Sequence, residues 1–341
     1  MSKLRFAILG CGRISYKHIE ALINNIQEAE LVAVSDVVEQ KALDKKGQYE
    51  EKIENANVKV YTDYIEMLKN EQIDVVTIAT ESGYHARHAI DCIEHGAHVL
   101  IEKPMALSVE DADAIIAAAK EHGKKISVSH QNRFNPPIQK LRRAIEEGRF
   151  GRIMSGTARI LWTRDMNYYK QAPWRGTAEL DGGTLMNQCI HNIDLLQWML
   201  GGSEIERIHA ERETFLRDIE MEDFGAILIR FKNGSIGIVE GSAVVYPKNL
   251  EETLSIFGEK GTVVIGGLAV NEIKTWQFAD ERDYDKEELN TDIDSVYGEG
   301  HTPLYKDFID AINNNTEPLI NGEEGKKAME IILRAYEVSP K

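Results

Sequence analysis

Two domains of different architecture are predicted: a doubly wound α/β domain on a parallel sheet, then an α+β domain on a mainly antiparallel sheet with helices on one face and the other open. Three features carry this reading. Short apolar runs alternate with amphipathic stretches from Leu4 to Ser129. Longer strands separated by hairpin turns follow between Ile153 and Ile265. A polar connector, His130 to Pro137, marks the change of pattern. At 341 residues the chain is long enough for two cores, which the pattern places at 1–129 and 130–341.

Leu4 to Leu9 is a compact apolar strand running into Gly10-Cys11-Gly12-Arg13-Ile14-Ser15, after which Tyr16 to Asn24 has helical spacing. Strand, glycine turn and helix in that order are the context of a dinucleotide-binding fingerprint. Gly10 permits the tight turn and Gly12 lets the backbone approach a pyrophosphate. Arg13 and Ile14 lead into a helix amino terminus with unpaired N–H groups and a positive dipole end. Ser15 replaces the third glycine and is small enough for close helix-to-strand packing. A second strand, Leu31 to Ser35, ends in Asp36, where a carboxylate accepts from ribose hydroxyls and repels a 2′-phosphate; NAD is favoured over NADP. The plainer role for Asp36 is that of a turn or capping acid.

The alternation continues with strands at Val58–Tyr61, Asp74–Ala79, His98–Ile101 and Lys125–Ser129. Helices are expected at Asp63–Lys69, Tyr84–Glu94 and Ser108–Glu121, the last with Ser108 and Asp111 spaced as a capping box. This is the pattern of a Rossmann sheet, whose ligands sit outside the carboxyl ends of the strands. Thr80, Glu81, Ser82 and Gly83 then follow the fourth strand at the edge where a nicotinamide ribose belongs, and Ala79, Thr80, Ser82 and His85 are expected at the cofactor. Glu102-Lys103-Pro104 follows the apolar run Val99–Ile101, so Lys103 stands at the same edge. Partial burial and a nearby nicotinamide cation would lower its pKa and make it a general base; the alternative is a solvated loop lysine. His85, His88, His95 and His98 lack a carboxylate or cysteine completing a ligand spacing, and no metal is expected.

In the second domain Pro136 and Pro137 suit the first turn of a helix reaching Glu147. Strands at Ile153–Trp162, Ile205–Glu213, Phe224–Phe231, Ser235–Tyr246, Glu252–Phe257 and Gly261–Ile265 follow, with hairpin chemistry clearest at Asn233-Gly234 and Lys260-Gly261. Thr302–Asn314 and Glu323–Tyr336 read as amphipathic helices. Helices suffice for one face of the sheet, so the other is expected to meet a second subunit. A helix opening at Asp181-Gly182-Gly183-Thr184 and running through Leu200 carries Asn187, His191 and Asp194 on one side. These form either an internal hydrogen-bond cluster or a site. The loop Arg164 to Gly176 is long, aromatic and basic: Arg164 and Arg175 can clamp phosphate or carboxylate, and Tyr168, Tyr169 and Trp174 can stack on a ligand or cover the sheet.

The formal charge of −16 argues against a nucleic-acid partner but leaves room for a small anion held by local arginines. Cys11, Cys92 and Cys189 are odd in number and far apart, unlike a disulfide framework. No apolar run has the length of a membrane span, and MSKLRFAILG begins a strand rather than a signal peptide; a soluble cytoplasmic protein is expected.

Taken in order over the whole chain, Gly10-Cys11-Gly12, Glu102-Lys103-Pro104 and the Asn187 to His191 helix resemble the Gfo/Idh/MocA family, the glucose-fructose oxidoreductase and inositol dehydrogenase family. Within it, SGYH at Ser82 to His85, QNRFN at Gln131 to Asn135, YYKQAPWRG at Tyr168 to Gly176 and DGGTLMNQCIH at Asp181 to His191 resemble UDP-N-acetylglucosamine and UDP-N-acetylglucosaminuronate 3-dehydrogenases. YPKNLE and the stretch Gly258 to Ile273 add to that likeness. Inositol dehydrogenases of the family usually carry aspartate four residues before the histidine, where this chain has Asn187. The resemblance implies hydride transfer from the sugar's third carbon to NAD, in the synthesis of nucleotide sugars for surface polysaccharide. Lys103 would take the hydroxyl proton and His191 would position that hydroxyl or share the proton. Gln131, Trp174 and Arg175 would join the cofactor site, and Arg133, Arg164, Tyr168, Tyr169, Arg175 and Asn187 the substrate site, in a dimer or tetramer. A free polyol such as inositol is the alternative substrate, and a cofactor-sensing protein without chemistry the alternative class. Lys103 and His191 argue against the sensor.

Overall fold

The computed structural model describes residues 2–202, 204–287, 289–290 and 298–339. The elements run β1 (Leu4–Leu9), α1 (Ser15–Asn24), β2 (Ala29–Ser35), α2 (Glu39–Glu50), β3 (Lys59–Tyr61), α3 (Tyr64–Asn70), β4 (Val75–Ile78), α4 (His85–Glu94), β5 (His98–Ile101), α5 (Val109–Glu121) and β6 (Ile126–Val128). They continue with α6 (Pro136–Glu146), β7 (Ile153–Leu161), α7 (Met166–Tyr169), α8 (Ile190–Met199), β8 (Ile205–Glu213), β9 (Phe224–Phe231) and β10 (Ile236–Ser242). The remainder are β11 (Glu251–Gly258), β12 (Gly261–Gly266), β13 (Glu272–Phe278), α9 (His301–Asn314) and α10 (Gly322–Val338). They fall into two compact units, one of 1–130 with 301–326, the other of 131–300 with 327–341. The helix expected near Thr302 thus lies in the first unit, although it follows the second in sequence.

The first unit is a six-stranded parallel sheet in the order β3-β2-β1-β4-β5-β6. Its central strands are apolar on both faces because helices cover both, so Phe6, Ile8, Val75, Val76, Val99, Leu100 and Ile101 are all buried. The strand order reverses between β1 and β4, which opens a crevice at their carboxyl ends, where dinucleotides bind in this topology. Ser108 caps α5 by accepting from the Asp111 N–H at 3.1 Å. Helix α2 was not expected, and it buries only Ala42 and Tyr49.

In the second unit seven strands form one sheet in the order β13-β12-β11-β7-β10-β9-β8. All its pairs are antiparallel except β7 with β10. Glycine lets α8 approach the sheet: a methyl group on Gly156 would lie 2.8 Å from Leu196, and one on Gly241 would lie 2.5 Å from the Cys189 sulfur. The outward positions include the exposed side chains of Leu228 and Ile238. Among the described residues no helix is long and apolar enough to cross a membrane.

Candidate active site

In the first unit the carboxyl ends of four strands bring the residues expected at a nucleotide to one edge. Gly10 has φ of +94°, and a Cβ there would lie 2.6 Å from the Ala79 carbonyl carbon, so glycine is required where β1 turns beside β4. Gly12 has no atom within 4 Å of where a Cβ would stand, which leaves open the space through which a pyrophosphate approaches α1. Asp36 is fixed by two backbone donors, the Cys11 N–H on one carboxylate oxygen and the Val38 N–H on the other, each at 2.8 Å. A fixed carboxylate at the end of β2 suits a ribose diol, and these residues fit a bound NAD.

Lys103 follows the end of β5 between two anchored neighbours. Glu102 is buried, with one oxygen 3.2 Å from His18 Nε2 and 3.9 Å from His301 Nε2. Burial alone would push this carboxyl up, but hydrogen bonding and charge from the two imidazoles outweigh it and hold the group well below its ordinary range. His18, Glu102 and His301 are the one metal-like group of three among the described residues, their donor atoms lying within 4.8 Å of one another. Of the other histidines weighed for a metal, His88 meets the Thr80 hydroxyl, His95 the Asp91 carbonyl and His98 the Lys125 N–H. His85 corrects an expectation. It is 1 % exposed and both ring nitrogens face backbone carbonyls, Pro104 at 2.7 Å and Thr80 at 3.1 Å, so neither nitrogen is turned to a ligand. Burial pushes its pKa down and keeps the ring neutral.

The second unit holds a separate cluster. Two guanidinium groups lie against the Tyr168 ring, Arg175 at 4.3 Å and Arg164 at 5.4 Å from its centroid. Its hydroxyl accepts from Arg175 Nη1 at 2.6 Å and from Gln188 Nε2 at 3.2 Å. Arg164 also stacks on Trp162 and donates through Nη1 to the Thr163 carbonyl at 2.8 Å. Asn187 donates to Asp181, whose other oxygen accepts from the Gly176 N–H at 2.6 Å. The arginine loop is thereby tied to the helix carrying Asn187 and His191, both half-buried. That helix begins with a wide π turn at Leu185–Cys189 rather than regular α geometry. Such turns are frequent at functional sites.

Three residues here depart from expectation. Arg133 is fully buried and grips Asp194 through Nε at 2.7 Å and Nη2 at 2.6 Å, so it holds α8 in place instead of meeting a substrate. Losing either member would leave a buried charge uncompensated, at about 3–5 kcal/mol. Tyr169 is also buried, and its phenol pKa is pushed up by burial, which makes it a packing residue. Glu252 went unnoticed in the sequence. Burial pushes its carboxyl up to about 8, against the opposing charge of Arg164. Strand alternation could have found it, since Glu252 shares the inward side of β11 with buried Leu254 and Ile256.

Residues 4–130 match the oxidoreductase family, NAD-binding Rossmann fold, and residues 138–264 match the GFO/IDH/MocA C-terminal domain. Among solved structures the chain is similar to the WlbA dehydrogenase from Bordetella pertussis in complex with NADH and UDP-GlcNAcA, at 36% identity and TM-score 0.89, over 99% of this chain and 96% of that one. The WlbA dehydrogenase from Chromobacterium violaceum, also with NADH and UDP-GlcNAcA, aligns at 37% identity and TM-score 0.88, over 99% and 94%. Among curated proteins it is similar to the myo-inositol 2-dehydrogenase of Thermotoga maritima, at 26% identity over 96% of this chain and 93% of that protein.

Proposed function

This chain belongs to the Gfo/Idh/MocA oxidoreductase family and is an NAD-dependent dehydrogenase of a sugar or polyol, and we propose that its substrate is a UDP-linked N-acetylated sugar. The sugar is UDP-N-acetylglucosaminuronate or UDP-N-acetylglucosamine, oxidised at its third carbon to the 3-keto sugar. The observation that carries this reading is the Arg164–Tyr168–Arg175 patch tied to the helix of Asn187 and His191. Two guanidiniums on one aromatic ring suit a diphosphate, whereas an uncharged polyol calls for none.

Lys103 takes the proton of the reacting hydroxyl, and His191 and Asn187 orient that hydroxyl. NAD, when bound, accepts the hydride. Gly10, Gly12, Arg13 and Ile14 receive its pyrophosphate, and Asp36 its adenosine ribose. Ala79, Thr80, Ser82 and Trp174 line its nicotinamide end. Gln131 belongs there too, its buried Oε1 having no protein partner among the described residues. In this reading 1–129 carry most of the cofactor contacts and 130–341 the substrate contacts with Gln131 and Trp174, while residues 301–326 belong to the first unit. The open sheet face joins subunits into a dimer or tetramer, and the setting is cytoplasmic synthesis of nucleotide sugars for surface polysaccharide. The names of the curated relatives favour a second reading, oxidation of inositol. The two separate when NADH formation is followed with each UDP sugar and with myo-inositol, products being checked by mass. Loss of two hydrogens from a UDP sugar supports the proposal; oxidation of inositol alone overturns it.

A further inference from the structure

Both neighbours of Lys103 are held by buried imidazoles. On its amino side His18 Nε2 faces Glu102 at 3.2 Å, while His18 Nδ1 faces the Tyr305 hydroxyl at 3.1 Å, which meets Thr77 Oγ1 at 2.7 Å. In either direction of the Thr77–Tyr305–His18 chain, His18 Nε2 is the nitrogen left to face the Glu102 carboxylate, and a hydrogen on it points the ring at that carboxylate. The Lys103 N–H lies 3.3 Å from the other carboxylate oxygen. On the far side the Pro104 carbonyl is 2.7 Å from His85 Nδ1, the shorter of that ring's two contacts, which assigns the proton to Nδ1.

We propose that His18 and His85 are positioning residues for Lys103, acting through Glu102 and Pro104 to fix the backbone on either side of it. The inference rests on the reading of Lys103 as the base. A lysine side chain has a long flexible stem, so its amine is only as well placed as the peptide that carries it, and a misplacement of about 1 Å costs about a hundredfold in rate. The two histidines come from α1 and α4, which follow the glycine turn and the Thr80 loop. The base is therefore held in the same frame as the residues proposed to hold the cofactor.

Paired amide substitutions test this. His18→Gln keeps an N–H near the Nε2 position, whereas His18→Asn moves it to the Nδ1 side and strips it from Glu102. His85→Asn keeps the donor to Pro104, whereas His85→Gln removes it. His18→Asn and His85→Gln are expected to lower kcat about tenfold to a hundredfold, with the Kd for NAD within about threefold of wild type, and the matched His18→Gln and His85→Asn to recover most of that loss. Equal behaviour within both pairs, or loss of NAD affinity in step with kcat, overturns the proposal. Thermal melting identifies a pair that fails to fold, and the other pair then decides. If the wild-type chain oxidises no sugar or polyol, it is the reading of Lys103 as base that fails. The positioning claim is then read from the methyl resonance of Lys103 in reductively 13C-methylated protein: a shift in His18→Asn but not in His18→Gln supports it, and an unmoved resonance in both overturns it.

Discussion

Replacing Arg164 by alanine separates a substrate clamp from a structural prop. Its guanidinium stacks at 4.7 Å on Trp162 and 5.4 Å on Tyr168, and Nη1 is anchored on the Thr163 carbonyl at 2.8 Å and on Asn249 at 3.3 Å. Arginine so anchored presents its charge with little remaining entropy to lose. A hydrogen bond from a charged donor to phosphate contributes about 1.5–3 kcal/mol, so Arg164→Ala should lower kcat/KM for a UDP sugar by about 10- to 150-fold. The loss should appear mainly in KM, because the diphosphate lies away from the reacting carbon. Added salt should shrink the difference between wild type and variant, since partly exposed charges are screened. Arg164→Lys should fall between the two, keeping the charge without the fork. Steady-state kinetics with a UDP sugar and with an uncharged polyol at one ionic strength form the assay. Equal losses on both substrates would make Arg164 a tie for its own loop and refute the clamp.

Lys103→Ala should reduce kcat by about 10²- to 10⁴-fold while leaving NAD affinity near wild type by fluorescence titration; unchanged turnover would remove Lys103 from the chemistry. Asp36→Ala should weaken NAD by about tenfold and narrow the preference over NADP, and a wild type that binds both cofactors equally would contradict the role given to Asp36. Glu252 should make stability depend on pH. Its folded pKa, about 8, stands above the ordinary 4.5, so between those values the unfolded chain has released a proton that the folded chain keeps. Stability should therefore fall as pH rises through this window and level off above it. Tm measured across pH should show the slope in wild type and a flatter profile in Glu252→Gln; parallel profiles would show that the carboxyl is not buried as described.

The parallel sheet was legible because strands covered on both faces are continuous apolar runs, and β1 and β5 begin and end where the pattern places them, as do β8 and β9 of the second sheet. Helix α2 was not, since a helix burying two side chains shows no apolar stripe. Edge strand β13 was missed for a similar reason: no residue of Glu272–Phe278 is fully buried, and Lys274 and Gln277 interrupt its apolar side chains. At the site, the glycine turn, Asp36 and Lys103 stand out because their chemistry is local to a strand end. Arg133 misled because a charged residue in a polar stretch reads as exposed, and only tertiary structure brings it to Asp194, 61 residues away. His18 was invisible as a partner of Glu102 for the same reason, and its link to Tyr305 spans 287 residues.

The fate of one hydrogen decides whether a nucleotide sugar is oxidised at its third carbon. UDP-N-acetylglucosaminuronate and UDP-N-acetylglucosamine, each deuterated only at the third carbon, would be incubated with the protein and NAD, and the reduced cofactor weighed by mass spectrometry. Hydride transfer from the third carbon gives NADH one mass unit heavier from at least one of them, with the label lost from the sugar. Unlabelled NADH, or none from either nucleotide sugar while myo-inositol yields it, would contradict the account.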